Sequence, residues 1–140
     1  MAIKKQEFYE GAALHQIIRN CSGARITYSA PLFVFDDRVQ AYLKYSTGVR
    51  SPWGFTFSAE EQKALRSRAT ERRTVIGLIC GSDGVVALPY DQFADIATLR
   101  DTGVRVSCAR LHREHFEVSG PDGVAPGKIA PSDWLGLLAA

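Results

Sequence analysis

The chain predicts an α+β fold: one domain over residues 1–140, with a mostly antiparallel mixed sheet covered by two or three helices. Leu14, Ile17, Ile18 and Cys21 recur at helical spacing, whereas Val39, Ala41, Leu43 and Tyr45 alternate as on a strand. Turn-forming clusters at Asp36-Asp37-Arg38, Gly81-Ser82-Asp83-Gly84 and Gly120-Pro121-Asp122-Gly123 separate short apolar runs. The run at 74–80 has no polar face to give to solvent, so it is expected as an interior strand covered on both sides.

The elements follow in order. Residues 5–20 form the first helix, which Gly23 ends just past its last turn. Strands are expected at 25–28 and 32–35, and the Asp36-Asp37-Arg38 turn leads into a third at 39–46. Ser58-Ala59-Glu60-Glu61 is a capping box that opens a helix over 59–72, with basic residues toward its C-terminal end. Strands at 74–80 and 85–88 form a hairpin, followed by a short helix over 91–100. Two more strands, 104–110 and 115–119, precede a last short helix capped by Ser132.

Composition narrows the classes. A 46% hydrophobic and 23% charged chain of 140 residues suits an ordinary globular domain and excludes disordered or fibrous ones. The net charge of +2 permits an acidic partner without demanding one. No apolar run reaches membrane-spanning length, and the lysines near the N-terminus precede no apolar stretch, so neither a span nor a secretory signal is expected. Cys21, Cys80 and Cys108 are odd in number and widely spaced, which points to buried thiols and a cytoplasmic location.

Candidate chemistry centres on the third strand. Period-two alternation puts Gln40, Tyr42, Lys44 and Ser46 on its polar side, beside a loop carrying Arg50 and Trp53. Arginine pairs with phosphate, and tryptophan stacks on a base, anchors a protein contact or folds back onto the core. Arg66 and Arg73 extend the basic surface along the second helix. Glu7 and Glu10 share the first helix's apolar stripe, and early-turn acids also offset the helix dipole. Cys108, His112 and His115 lack zinc-site spacing and read as a solvated turn, so no metal ligand is assigned.

Helix, strand, strand, lysine-bearing strand, helix, buried strand: this order resembles the core of the PD-(D/E)XK nuclease superfamily over residues 5–88. In that family the first helix often supplies an acid, the second strand an aspartate, and the third an acid-any-lysine triplet. Metal-bound carboxylates and the lysine then activate a water against a phosphodiester. The resemblance implies Glu10, Asp36 or Asp37, and Lys44 as catalytic candidates. Its triplet here is Tyr42-Leu43-Lys44, with tyrosine where the acid belongs, and Ala30-Pro31 opens the second strand without an aspartate. A repurposed, nucleic-acid-binding member is therefore expected, with no cofactor, and with magnesium only if the centre is catalytic. The competing class is a homodimer or protein-interaction module that uses the 50–55 aromatic loop as its contact.

Overall fold

The computed structural model describes residues 2–21, 24–111, 115–127 and 129–139. The expected helix stop at Gly23 and the His112–Glu114 part of the turn lie outside these residues. Within them the chain is an α+β domain in which nine strands divide between two sheets.

Helix α1 (Lys5–Asn20) leads into strands β1 (Ile26–Ser29), β2 (Leu32–Phe35) and β3 (Val39–Ser46), an antiparallel meander. Asp36 and Asp37 make the β2–β3 turn with φ of 53° and 58°, a left-handed conformation that short polar side chains tolerate. Strand β4 (Trp53–Phe57) and helix α2 (Ala59–Ala69) then carry the chain across to β5 (Arg73–Cys80), which pairs parallel to β3. A parallel neighbour needs such a crossover. Strand β6 (Gly84–Pro89) returns beside β5, giving the order β1-β2-β3-β5-β6. Helix α3 (Tyr90–Ile96) leads to β7 (Val104–Leu111), β8 (His115–Gly120) and β9 (Gly123–Val124), which with β4 form the antiparallel sheet β4-β7-β8-β9. Helix α4 (Asp133–Ala139) follows.

Two cores sandwich the first sheet. On one face Ala13 and Ile17 of α1 and Trp134 and Leu138 of α4 cover Val39, Leu43, Val75 and Ile79. On the other, Ile76, Leu78 and Cys80 meet Phe55, Phe57, Val106 and Phe116 of the second sheet, with Leu65 of α2 and Phe93 of α3. Val75, Ile76 and Leu78 are wholly buried, as the unbroken apolar run requires. Gly77 packs between Leu43 and Trp134: a Cβ there would stand 2.8 Å from the Leu43 side chain. The Cys80 and Cys108 thiols are both buried between the sheets, where a hydrogen bond from one to the other and burial push Cys108 far above the ordinary thiol range.

The face of α1 matches the expectation at Leu14, Ile17 and Cys21, which pack against the core, and at half-buried Glu10, with Tyr9 and Ala13 beside them. It differs at Ile18, which is 64% exposed, and at Glu7, which is exposed. Tyr9 stacks on Tyr45 at 4.7 Å, and this aromatic contact accompanies the turn of the helix toward β3. Strand β4 was expected as loop. Trp53, Phe55 and Phe57 alternate inward along it, so the aromatic segment is core rather than contact surface.

Candidate functional site

The even-numbered side chains of β3 do not form an open solvent face: Gln40 is buried, and Tyr42, Lys44 and Ser46 are half-buried. Helix α2 and the second sheet cover them, because β3 is an interior strand with both faces packed. Gln40 is fully buried and donates to the Arg68 carbonyl at 2.9 Å and to Thr74 Oγ1 at 3.0 Å, so it serves the core and not a ligand. Tyr42 and Lys44, further along, reach the rim.

Glu61 organises that rim. The capping box at the start of α2 uses one of its oxygens: Oε1 accepts from the Ser58 N–H at 2.9 Å, and Glu61 N–H donates to Ser58 Oγ at 3.1 Å. Oε2 is thereby turned toward β3, where it accepts from Lys44 Nζ at 2.6 Å and from the Tyr42 hydroxyl. The ammonium also stands 5.1 Å from the centre of the Phe57 ring. About a quarter of each ion-pair side chain is exposed, so the pair is accessible yet shielded from full solvent screening.

These contacts set the protonation states. Burial raises the Glu61 carboxyl, but hydrogen bonds from Lys44, Tyr42 and Ser58 outweigh it and hold the group below its ordinary value of 4.5. Burial, then the hydrogen bond and charge of Glu61, then the charge of Glu10, push the Tyr42 hydroxyl far above the usual phenol range. Tyr42 is therefore a neutral donor at physiological pH.

A cleft of about 860 Å³ opens beside this group, where the β2–β3 ladder has ended and the β3 edge is uncovered. Gln6, Glu10, Tyr28, Phe33, Tyr42 and Lys44 are among its walls. Gln6 closes the free edge: its Nε2 donates to the Leu43 carbonyl at 3.0 Å and to Glu10 Oε2 at 2.9 Å. Tyr28 and Phe33 lie with ring centres 4.8 Å apart, and Tyr28 is 61% exposed. Cationic head, hydrogen-bond donor and open aromatic face are the groups that hold a phosphate and stack a base.

Among the sequence candidates, Glu10, Tyr42 and Lys44 converge on this cleft. Asp36 and Asp37 do not join them: they occupy the turn at the opposite end of β3, where Asp36 pairs with Arg38 at 3.9 Å and Asp37 with Arg25 at 3.4 Å. The end of β2 that adjoins Lys44 carries Pro31 and Leu32, with no carboxylate. Trp53 is buried, its Nε1 donating to the Gly48 carbonyl at 2.7 Å, so it is corrected from ligand contact to core. Arg50 is exposed and lines neither hollow that Lys44 lines. Arg66 is exposed on α2, its charge opposing the rise that burial gives the Tyr90 hydroxyl. Arg73 is exposed beside Val39, at the far end of β3 from Lys44.

Glu61 and Gln6 are the residues at this candidate site that the sequence pattern does not single out. The capping box was legible, but the strand that the helix start packs against was not. The donor set does not fit a magnesium ion. Oε2 of Glu61 is committed to Lys44 and Tyr42, an oxygen of Glu10 is held by Gln6, and no group of three or more His, Cys, Asp or Glu side chains is placed to hold a metal among the described residues. No helix among those residues is long and apolar enough to cross a membrane. Comparison with known proteins found no matching family model, no curated relative and no similar solved structure.

Proposed function

We propose that this is a nucleic-acid-binding domain built on a nuclease-like core without the metal-holding carboxylates. The observation that carries the reading is the position of Lys44. It stands on the third strand of a helix–meander–strand–helix–parallel-strand sequence, at a cleft that also holds Glu10 and a tyrosine in place of the second acid. The first helix, the three-stranded meander and the parallel pairing of β3 with β5 support the resemblance to the PD-(D/E)XK core, from which the chain departs by inserting β4 ahead of α2 in the crossover. Pro31 and Leu32 where an aspartate would enter, and Tyr42 where an acid would stand, support binding without efficient cleavage. Burial of Trp53 and Phe55 withdraws the aromatic anchors from a protein contact through the 50–55 loop.

In this reading a phosphate approaches the ammonium from the cleft and competes with Glu61 for it, while Tyr28 offers a ring to a base. The test is fluorescence anisotropy of labelled single-stranded and double-stranded DNA and RNA at low salt. Lys44→Met should weaken binding and reduce the salt slope by about 0.7 for a single strand, the loss of one phosphate contact. The variant strands Glu61, so Lys44→Met/Glu61→Gln is the folding control. If both variants melt like the wild type and bind like it, Lys44 is not a site residue. If Lys44→Met merely melts lower, the lysine is structural.

A further inference from the structure

Among the described residues no helix covers the outer face of the second sheet, and its side chains are unlike those of an ordinary solvent face. Gly54, Ser107 and Ser119 stand side by side across β4, β7 and β8, so one cross-strand row is a shallow trough of bare backbone and hydroxyls. Arg105 lies flat over that trough. A Cβ on Gly54 would stand 2.0 Å from Arg105 Nη2 and 2.4 Å from Cζ, so glycine is what allows the guanidinium to rest on the strand. Arg105 is exposed and has no carboxylate partner among the described residues.

Arg105 faces a hollow of about 610 Å³ together with Arg100, Ser107 and Ser119. Asp122 holds Arg100 through Nη2 at 2.5 Å, whereas Nη1 is shielded from solvent and has no acceptor among the described residues. On the other side of Arg105, Gly54 lines a second hollow of about 530 Å³ with Lys5, Lys44 and Ser46. That hollow shares Gln6 and Lys44 with the cleft described above. Among the described residues, neither the Arg100–Arg105 hollow nor the Gly54–Lys44 hollow has a carboxylate in its wall. The acid on the same sheet face, Glu117, sits two residues along β8 from Ser119 and lines neither.

We propose that these hollows form one track for the phosphodiester backbone of a single-stranded nucleic acid, running from Arg100 and Arg105 over Gly54 to Lys44. Guanidinium groups take phosphate oxygens in pairs and serine hydroxyls donate to them; a phosphate competes with Asp122 for Arg100 and with Glu61 for Lys44, whereas Arg105 has no carboxylate partner among the described residues. Tyr28 and Phe33 at the far end accept unstacked bases, which favours a single strand over a duplex. The inference rests on the reading of the Lys44 cleft as a nucleic-acid site and extends it to a second sheet.

Length and salt separate the two. Labelled single strands of about 4 and about 16 nucleotides span the range from one subsite to a full track. Their affinities are measured between about 50 and 200 mM salt for the wild type, Arg105→Gln, Arg105→Lys and Ser107→Asp. Arg105→Gln should weaken the long strand several-fold and lower its salt slope by about 0.7, leaving the short strand unchanged. Ser107→Asp should weaken the long strand further, and Arg105→Lys should keep the slope. Both positions are on the open face, and matched melting curves verify the fold. If Arg105→Gln binds the long strand like the wild type, the track is overturned and the Lys44 cleft stands. An equal loss on both lengths overturns it too. No binding by the wild type at either length overturns both readings.

Discussion

Lys44 Nζ lies 2.6 Å from Glu61 Oε2, and the other oxygen of that carboxylate caps helix α2. One side chain thus ties the start of a helix to the rim of a strand 17 residues away in the chain. The cap pre-sets the carboxylate, so little rotamer freedom is lost in holding the lysine. The carboxylate balances the charge of the ammonium, so in the proposed function an anionic ligand must compete with Glu61 for it.

That relationship has a pH signature. The folded Glu61 carboxyl titrates below its ordinary value of 4.5, so its contribution to stability is fully present above that value. It is lost as the pH falls through the lower folded value, because the unfolded chain then binds the proton more readily. Melting temperatures should fall more steeply for the wild type than for Glu61→Gln between about pH 5 and pH 3. Parallel curves would mean that the hydrogen bonds to Glu61 are not maintained in solution.

Trp53 should behave as a core residue. Trp53→Ala is expected to cost about 3–5 kcal/mol in urea unfolding, whereas Arg50→Ala on the exposed loop should stay within about 0.5 kcal/mol. A Trp53→Ala variant with an unchanged midpoint would return the indole to the surface.

Gly77 is the tightest point of the first sheet. Gly77→Ala places a methyl carbon 2.8 Å from the Leu43 side chain and 3.3 Å from the Trp134 ring. Overpacking of this kind costs about 1–3 kcal/mol, and the same denaturation measurement reads it. A neutral or stabilising result would show that Leu43 and Trp134 repack freely.

Much of this architecture was legible. The bounds of β2 and β3 follow directly from the apolar run and the alternation that the Asp36-Asp37 turn separates, and Ser58 with Glu61 marks the start of α2. Strand β4 was hidden because Pro52 and Gly54 interrupt the pattern, although Trp53, Phe55 and Phe57 carry the period-two signal. Helical spacing alone places Ile18 inward, whereas α1 docks against β3 through Tyr9, Ala13 and Ile17. Glu10 with Lys44 was within reach of topology. Glu61 was not, since periodicity describes a helix without saying which strand its first turn will meet. Arg105 over Gly54 depends on register between strands about 50 residues apart, which local pattern does not contain.

The central claim is binding without cleavage at the Lys44 cleft, and incubation with magnesium or manganese tests it most directly. Single-stranded and double-stranded DNA and RNA are held with the wild type at a concentration that gives full anisotropy, then resolved by length on a denaturing gel. The account predicts bound and intact strands in both metals, because Tyr42, Pro31 and Leu32 stand where metal-holding carboxylates would be needed. Shortened strands that vanish when Glu10 and Lys44 are changed together, to glutamine and methionine, would contradict it.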